Sequence, residues 1–316
     1  MTQDSDYTPF RPNRLQPGMT IAIIAPSSGR RDDRFEPGVA QLESRGYNVK
    51  VMDHVLDQHG YLAGLDRQRA SDFTRAFADP EVNAVICARG GYGAMRMVDL
   101  VDWDVVKQNP KPFIGYSDIT TLHLAIEKNC GRTTIYGPMV GALGGTLSSD
   151  ALDCFWKMLE SNEPFGLYPK QANPPVTLVP GKAKGRLAGG CITLLGGSIG
   201  TTEHTDFAGR IVVLEDISES IYRLDRTLTH LLRSTNLSES AGLVIGTNTD
   251  WAKEETDEIA ITLDDLWQNI IAPLGIPTIV DFQFGHEPDP FTIPLGCMAE
   301  LDATRGTLAV LESPFV

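Results

Sequence analysis

The stretch that decides the fold is KPFIGYSDITTLHLAI, residues 111–126. The apolar pair before Gly115 is typical of the end of a short buried strand, and the glycine permits a tight turn. From Asp118 onward, apolar residues recur at helical spacing. The pattern therefore predicts a strand that turns sharply into a helix, with Ser117 on the corner.

The N-terminal half of the chain repeats this alternation of short apolar runs and amphipathic segments. The runs GMTIAIIAPSSG (18–29) and VNAVICARGGYG (82–93) each end in a glycine loop, and MRMVDLVDWDVVKQ (95–108) predicts a helix. Such an order predicts an α/β fold with a doubly wound parallel sheet and helices on both faces. Ligands of these sheets collect at the carboxyl ends of the strands, so we expect a site among the loops that follow them.

The length and the proline distribution predict two domains. At 316 residues, the chain exceeds the size at which a single core usually stops growing. Residues 162–186 are rich in proline and lack a helical period, so we interpret them as a connector between domains at 1–161 and 187–316. Apolar runs after the connector, joined by segments with helical spacing, predict a mixed α/β C-terminal domain.

Charge and cysteine usage exclude several classes of function. The chain has 41 acidic and 27 basic residues, and its net charge of -14 argues against nucleic acid or an anionic membrane as the main partner. The five cysteines are scattered without a C-x-x-C pair, which is typical of reduced thiols in a cytoplasmic protein, and no metal-ligand motif is present. A polar N-terminal segment favours the same location. We therefore expect a cytoplasmic protein whose partner is a small molecule or peptide.

Ser117 has two interpretations. A serine just before a helix is commonly an N-cap, although Thr120 stands where a capping box would have Glu or Gln. The alternative is a nucleophile elbow, in which a sharp strand-to-helix turn exposes the hydroxyl and directs the next backbone N–H at an oxyanion. This motif is half complete, because Ile119 occupies the place of the second glycine in G-x-S-x-G. Local sequence alone favours the cap.

A catalytic serine needs a base and an acid that orients the base. Among the six histidines, His286 differs because it follows an apolar strand in the loop DFQFGHEPDPFTIPLG (281–296). Glu215 and Asp216 stand at the carboxyl end of the apolar run in IVVLEDISES (211–220), where a helix-start acid is the competing interpretation. The residues alone leave open whether serine, histidine and acid meet in space.

Three segments, in the same order as in the family, resemble the signature blocks of the LD-carboxypeptidases, serine peptidases that act on muropeptides and related amide conjugates. They are RGGYGAMRMVDLVDWDVVKQNPKPFIGYSDITTLHLAI (89–126), VVLEDISESIYRLDRTLTHL (212–231) and GHEPDPFTIPLGCMAELD (285–302). The resemblance extends over nearly the whole chain. It implies a Ser-Glu-His triad at Ser117, Glu215 and His286, an N-terminal nucleophile domain, a C-terminal domain that supplies Glu and His, and commonly a homodimer.

The implied chemistry needs further groups around the triad. The oxyanion that forms when serine attacks an amide carbonyl needs backbone donors, for which Asp118 and Gly91 are the candidates. An exopeptidase must also bind a terminal carboxylate, a task suited to arginine. Arg89 and Arg223 lie within the signature blocks, and a structural ion pair is the alternative for each. The reaction requires neither a cofactor nor a metal.

Two substrates remain open within the resemblance. The first is murein tetrapeptide, which would lose its terminal D-alanine at an L,D bond. The second is an aminoacyl or peptidyl sulfamoyl adenylate, as in microcin C self-immunity peptidases, which stack adenine on an aromatic side chain near the linker. The connector contains Phe165 and Tyr168 but no tryptophan, which favours the muropeptide, although Trp251 could serve from another loop. A non-catalytic two-domain ligand-binding or amidotransferase-like protein, in which Ser117 is only a cap, is the alternative from another class.

Overall fold

The computed structural model describes residues 9–29, 33–145, 147–247 and 261–316. Within these residues the strands form two sheets, one of six strands and one of eight. None of the helices in this part of the chain combines the length and the apolar character that crossing a bilayer requires.

The first sheet carries the parallel part of the fold. Its parallel strands are β1 Thr20–Ile24, β2 Asn48–Val51, β3 Ala84–Cys87, β4 Phe113–Gly115 and β5 Thr134–Tyr136. Their order in space is β5-β4-β3-β1-β2, and every pair among them is parallel. This is a doubly wound order whose direction reverses between β1 and β3. The predicted N-terminal architecture is therefore confirmed.

Helices connect the strands of the first sheet. They are α1 Phe35–Ser44, α2 Asp66–Ala78, α3 Trp103–Gln108, α4 Thr120–Cys130, α5 Val140–Leu143 and α6 Ser149–Glu160. The continuous helix predicted over 95–108 is wrong, because short 3-10 turns at Ala94–Arg96 and Val98–Leu100 precede α3. The Asp102 side chain accepts a hydrogen bond from Val105 N–H (3.1 Å) and starts α3 as a separate helix.

The second sheet contains both parallel and antiparallel pairs, and with its helices it forms the mixed α/β C-terminal half that the sequence predicted. Its strands are β6 Gly166–Leu167, β7 Val176–Val179, β8 Lys182–Cys191, β9 Ile211–Glu215, β10 Gly242–Gly246, β11 Thr278–Phe282, β13 Met298–Asp302 and β14 Thr307–Val310. The central strands β8, β9, β10 and β11 pair in parallel, and the flanking strands pair antiparallel. The helices of this half are α7 Ile192–Gly197, α8 Ile221–Ser234 and α9 Leu263–Leu266, which continues into a π-helical turn at Trp267–Ile271.

Two segments belong to sheets that a division of the chain at residues 162–186 would not predict. Strand β12, Ile293–Leu295, pairs antiparallel with β5 and so completes the first sheet from the C-terminal part of the chain. The proline-rich segment 162–186 contributes β6 and β7, which are the edge strands of the second sheet. Proline is compatible with edge strands, because an edge residue needs no ladder hydrogen bond on its outer side. The domain boundaries themselves stay a prediction.

The strand ends of both sheets meet at one place. Strands β3, β4 and β9 are buried at every residue. The N–H of Cys191, at the end of β8, donates to Thr120 Oγ1 on α4 (3.1 Å). The carboxyl ends of strands from both sheets therefore lie side by side, where parallel sheets bind ligands.

Candidate active site

Ser117 occupies a strained corner between β4 and α4. It begins a 3-10 turn, Ser117–Ile119, and its φ of +68° lies in the left-handed region, which costs a non-glycine residue about 1–2 kcal/mol. Gly115 makes the turn possible, because a Cβ there would lie 2.8 Å from Ile119 Cγ2. Gly90 lets the glycine loop approach, because a Cβ there would lie 3.1 Å from Ser117 Oγ. Such strain is typical of a nucleophile elbow.

The structure brings Ser117, His286 and Glu215 together. His286, in the loop after β11, has its Nε2 atom 3.0 Å from Ser117 Oγ. Its Nδ1 atom lies 2.7 Å from Glu215 Oε2, at the end of β9. Because the Ser117 hydroxyl faces the imidazole, the local geometry favours the elbow over the helix cap. A hydroxyl, an imidazole and a carboxylate in this hydrogen-bonded order can act as nucleophile, base and orienting acid.

The Glu215 carboxylate is fully buried, at 0% exposure, and both of its oxygens are occupied. Oε2 faces His286 Nδ1, and Oε1 accepts a hydrogen bond from the Tyr136 hydroxyl. Gly285, with φ +91°, leaves room for this contact, because a Cβ there would lie 2.5 Å from Glu215 Oε2. The acid is therefore held by a glycine, a phenol and an imidazole.

Electrostatics favour a basic imidazole at His286. Burial lowers the pKa of His286, but the charge of Glu215 and its hydrogen bond raise it, and the net pKa lies above the ordinary value of 6.5. The ring of Tyr116 meets His286 edge-on, with 5.1 Å between ring centroids. Burial raises the pKa of Tyr116 to about 12, so this neighbour stays neutral. The site can therefore stabilise an imidazolium next to the serine.

The two predicted oxyanion donors border Ser117. Within the described part of the chain, no backbone hydrogen bond uses the N–H of Gly91 or of Asp118. Gly91 lines the cavity above Ser117 and has φ +113°, a conformation that favours glycine. Asp118 directly follows Ser117 on the 3-10 turn. Both N–H groups are therefore available to a developing negative charge.

The Asp118 side chain joins the loops around Ser117. It is 1% exposed and accepts hydrogen bonds from Ser27 Oγ (2.6 Å) and from Ala94 N–H (2.8 Å). Burial raises the pKa of its carboxyl, while these donors lower it. One carboxylate thus connects the loop after β1, the loop after β3 and the corner after β4.

A cavity of about 380 Å³ opens over Ser117 and His286. This volume is within the range of small-molecule sites. Its lining includes Arg34 and Arg89, and the charges of both lower the pKa of Tyr116 against the effect of burial. Arg89 Nη1 also donates to the Gly29 carbonyl (3.3 Å). The cavity therefore presents positive charge to a bound molecule.

Comparison with known proteins matches both halves of the chain to one family. The model of the LD-carboxypeptidase N-terminal domain matches residues 21–137, and that of the LD-carboxypeptidase C-terminal domain matches residues 184–301. A putative carboxypeptidase of Streptomyces coelicolor is 40% identical over 95% of this chain and 96% of its own length. The chain belongs to the LD-carboxypeptidase family. It is a serine peptidase, and the resemblance of the three signature blocks is confirmed.

Solved structures similar to this LD-carboxypeptidase have the same two-domain α/β fold. The muramoyltetrapeptide carboxypeptidase from Oxalobacter formigenes is 30% identical, with a TM-score of 0.80 over 92% of this chain and 98% of that one. An MccF-like protein from Bacillus anthracis is 27% identical, with a TM-score of 0.86 over 95% of this chain and 99% of that one. Both similarities extend over nearly the entire LD-carboxypeptidase chain.

Other residues singled out in the sequence lie away from this cavity. Arg223 is on α8, outside the cavity lining, with its side chain 55% exposed and its Nη1 3.9 Å from Glu219 Oε2. Phe165 and Tyr168 are buried against each other, so neither presents a face to a ligand. Trp251 lies outside the described residues of this LD-carboxypeptidase.

Sequence reasoning missed two residues of the LD-carboxypeptidase site. Tyr136 is the last residue of β5, so the rule that sites form at strand ends could have identified it. Arg34 precedes α1 and has no local signal, because its place in the cavity depends on how α1 packs against α5.

Proposed function

We propose that Ser117, His286 and Glu215 are the catalytic triad of a carboxypeptidase that releases the terminal D-alanine of murein tetrapeptide. The observation that carries the proposal is the continuous hydrogen-bonded path from Ser117 Oγ to His286 (3.0 Å) and from His286 to the buried Glu215 (2.7 Å). The strained backbone of Ser117 supports it further, because a φ of +68° is costly for a non-glycine residue and such strain is concentrated at active sites.

Attack on the peptide begins at Ser117. His286 Nε2 accepts the hydroxyl proton while Oγ bonds to the carbonyl carbon at the L,D bond, and the carbonyl oxygen becomes an oxyanion. The Gly91 and Asp118 N–H groups stabilise that charge, and Glu215 stabilises the imidazolium. Each oxyanion donor in such sites contributes about 10²–10³ in kcat.

The acyl-enzyme forms and is then hydrolysed. His286 returns its proton to the departing amine, so D-alanine leaves and the tripeptide remains as an ester of Ser117. A water molecule then attacks the ester carbonyl while the same imidazole takes its proton. Collapse of the second tetrahedral intermediate releases the tripeptide carboxylate and restores the Ser117 hydroxyl.

Arginine provides the selectivity for a chain end. The terminal carboxylate lies one residue beyond the scissile bond, within reach of a charged group on the cavity wall. Arg89 was the expected partner and lines the cavity, and we add Arg34 from the same wall. A guanidinium can bind a carboxylate through two parallel hydrogen bonds. Arg223 is a poor candidate because it lies outside the cavity lining.

A second substrate class also has support. The MccF-like neighbour matches this chain with a TM-score of 0.86, and MccF has been solved in complex with glutamyl sulfamoyl guanosine. The alternative is therefore hydrolysis of an aminoacyl or peptidyl sulfamoyl adenylate by the same triad. We favour the muropeptide because neither aromatic residue of the 162–186 segment, Phe165 or Tyr168, is exposed for stacking on a base.

Mass spectrometry of the products tests the proposal. The protein is incubated in parallel with murein tetrapeptide and with an aminoacyl sulfamoyl adenylate. We expect free D-alanine and tripeptide from the first, with no product from a Ser117→Ala control. Cleavage of the adenylate alone would establish the second function. Binding of either compound without cleavage by the wild type would support a ligand-binding protein instead.

The expected location and assembly are also proposals. All five cysteines are buried free thiols, which supports a reducing compartment such as the cytoplasm. A homodimer rests on the family resemblance, and light scattering coupled to gel filtration tests it, with twice the chain mass of 34.5 kDa as the expected result.

A further inference from the structure

One phenol connects the two halves of the site. Tyr136, at the end of β5, is 1% exposed, and its hydroxyl donates to Glu215 Oε1. The phenol oxygen of Tyr136 also accepts a hydrogen bond from the Ser117 backbone N–H (3.1 Å). The hydroxyl therefore contacts the acid supplied by the second sheet and the strained corner supplied by the first, although it faces neither the cavity nor the imidazole.

We propose that Tyr136 is a positioning residue, whose hydroxyl orients the Glu215 carboxylate towards His286 and fixes the Ser117 corner in its strained conformation. The inference rests on the proposed triad and extends it with a fourth side chain that does not touch the substrate.

The chemistry of the hydroxyl fits this role. Burial raises the pKa of Tyr136 well above its usual value, so the phenol stays protonated and remains a donor. Glu215 has no access to water, so the phenol is the group that hydrogen-bonds the carboxylate oxygen turned away from His286. Without that donor, a buried carboxylate oxygen is left unpaired, and hydrogen bonds to charged groups are the strong ones. The phenol oxygen also accepts the hydrogen bond of the Ser117 N–H. This bond stabilises the backbone of Ser117 in its strained conformation.

The other titratable groups near this hydroxyl do not replace it. Burial raises the pKa of the Cys191 thiol well above its usual value and lowers the pKa of His123 to about 4, so both are neutral at neutral pH. Burial raises the pKa of Tyr116 to about 12 despite the two cavity arginines. Asp216 follows Glu215, and burial raises the pKa of its carboxyl. Tyr136 is therefore the neutral donor that acts directly on Glu215.

Removal of the hydroxyl has a predictable effect on pH dependence. The Tyr136 hydroxyl donates to the Glu215 carboxylate that faces His286 and so disperses part of its negative charge. Without this donor the carboxylate stabilises a protonated His286 more strongly, so a Tyr136→Phe substitution should raise the pKa of His286 further above its ordinary value. Since the base must be neutral to act, the acid limb of kcat/KM moves to higher pH.

The test compares Tyr136→Phe with Tyr168→Phe. Tyr168 is a matched control because it is buried, lies away from the site and donates one hydrogen bond to the Thr292 carbonyl (2.7 Å). Both substitutions remove one buried hydroxyl and leave one acceptor unpaired, and Tyr136→Phe also removes the acceptor of the Ser117 N–H. For Tyr136→Phe we expect kcat to fall about 10-fold to 100-fold with KM within about threefold, and the acid limb to rise by about half a unit to one unit. For Tyr168→Phe we expect kcat and the acid limb of the wild type, with a loss of thermal stability no larger than that of Tyr136→Phe.

A fluorophosphonate separates this inference from the choice of substrate. The reagent bonds phosphorus to an activated serine oxygen and releases fluoride, so its labelling rate reports on Ser117 without a peptide. Slower labelling of Tyr136→Phe than of Tyr168→Phe supports the inference even if the tetrapeptide is not cleaved. Equal labelling rates and equal acid limbs overturn it, as does a Tyr136→Phe chain that fails to fold beside a folded control. A wild type that reacts with neither peptide nor probe contradicts the proposed function itself.

Discussion

The first sheet positions Ser117 through its backbone conformation, whereas Glu215 of the second sheet is positioned by buried side-chain hydrogen bonds. Ser117 owes its position to a left-handed φ of +68° and to the close approach of Gly90. Glu215 owes its position to complete burial and to contacts with His286 and Tyr136. The strained backbone depends on a few consecutive residues, whereas the side-chain contacts of Glu215 depend on residues that are distant in the chain.

This difference predicts which substitutions should reduce activity in each part of the site. In the first sheet, activity should depend on the residue at position 117 itself. In the second sheet, activity should fall with any substitution that displaces the Glu215 carboxylate, including one at a neighbouring residue.

The largest effect is expected for Ser117→Ala. Loss of the nucleophile should lower kcat by about 10⁴–10⁶ while the protein stays folded, because alanine keeps the Cβ and removes only one partly buried oxygen. Steady-state release of D-alanine measures the loss. The control is Ser44→Ala on α1, which removes an exposed hydroxyl bonded to a backbone carbonyl and should keep full activity. Turnover by Ser117→Ala within tenfold of the wild type would exclude Ser117 as the nucleophile.

The strain at the corner can be measured separately from its chemistry. Glycine adopts φ +68° without steric cost, whereas alanine does not. We expect Ser117→Gly to be more stable than Ser117→Ala by about 1 kcal/mol, although both are inactive. Urea unfolding of the two variants gives the difference in the free energy of unfolding. Equal stabilities would mean that the corner is not strained.

Displacement of the acid should have the next largest effect. In Gly285→Ala the new Cβ would lie 2.5 Å from Glu215 Oε2 and push the carboxylate from His286. We expect kcat to fall at least about 100-fold, the cost of a misplaced catalytic group. Gly209→Ala is the matched control, because Gly209 also has a positive φ (+67°) but no atom within 4 Å of its missing Cβ. Equal activity of the two variants would remove Gly285 from the support of Glu215.

The cavity arginines should affect binding more than chemistry. We expect Arg34→Ala and Arg89→Ala to raise KM for the tetrapeptide about 10-fold to 100-fold, the loss of a charge-assisted hydrogen bond of about 1.5–3 kcal/mol. Arg223→Ala, which removes a half-exposed ion pair 3.9 Å long, should change KM less than threefold. A tetrapeptide with an amidated C-terminus should bind equally weakly to the wild type and to the sensitive variants. A KM effect confined to Arg223→Ala would move the carboxylate site to α8.

The smallest effect is a shift in pH dependence. The pKa of His286 is raised by Glu215 against the effect of burial, and the base must be neutral to act. Activity should therefore be lost as the pH falls through a value above 6.5, and Glu215→Gln should move this acid limb to lower pH because burial then dominates. A pH profile of kcat/KM measures both. An acid limb that Glu215→Gln leaves in place would assign it to another group.

The fold could be predicted well where signals are local. Apolar runs that end in glycine loops gave the parallel sheet, and the strand-to-helix turn at 115–118 was correct. The helix predicted over 95–108 was wrong, because Asp102 starts a new helix inside the amphipathic pattern. Strand β12 could not be assigned to the first sheet from sequence, since its pairing with β5 joins residues about 160 apart.

The candidate site could be predicted only in part. Local sequence marked Ser117, His286 and Glu215 as candidates because each stands at the end of an apolar strand, and the family resemblance joined them into one triad. Tyr136 and Arg34 were missed, because their relevance depends on packing between distant elements.

The central claim is that the serine of one sheet and the imidazole of the other act as one unit. The most direct measurement is kcat for Ser117→Ala, His286→Ala and the double variant with murein tetrapeptide. If the two groups act together, the double variant should be no slower than Ser117→Ala by more than about tenfold. A double variant whose loss equals the product of the two single losses, or a His286→Ala variant with wild-type kcat, would contradict the account.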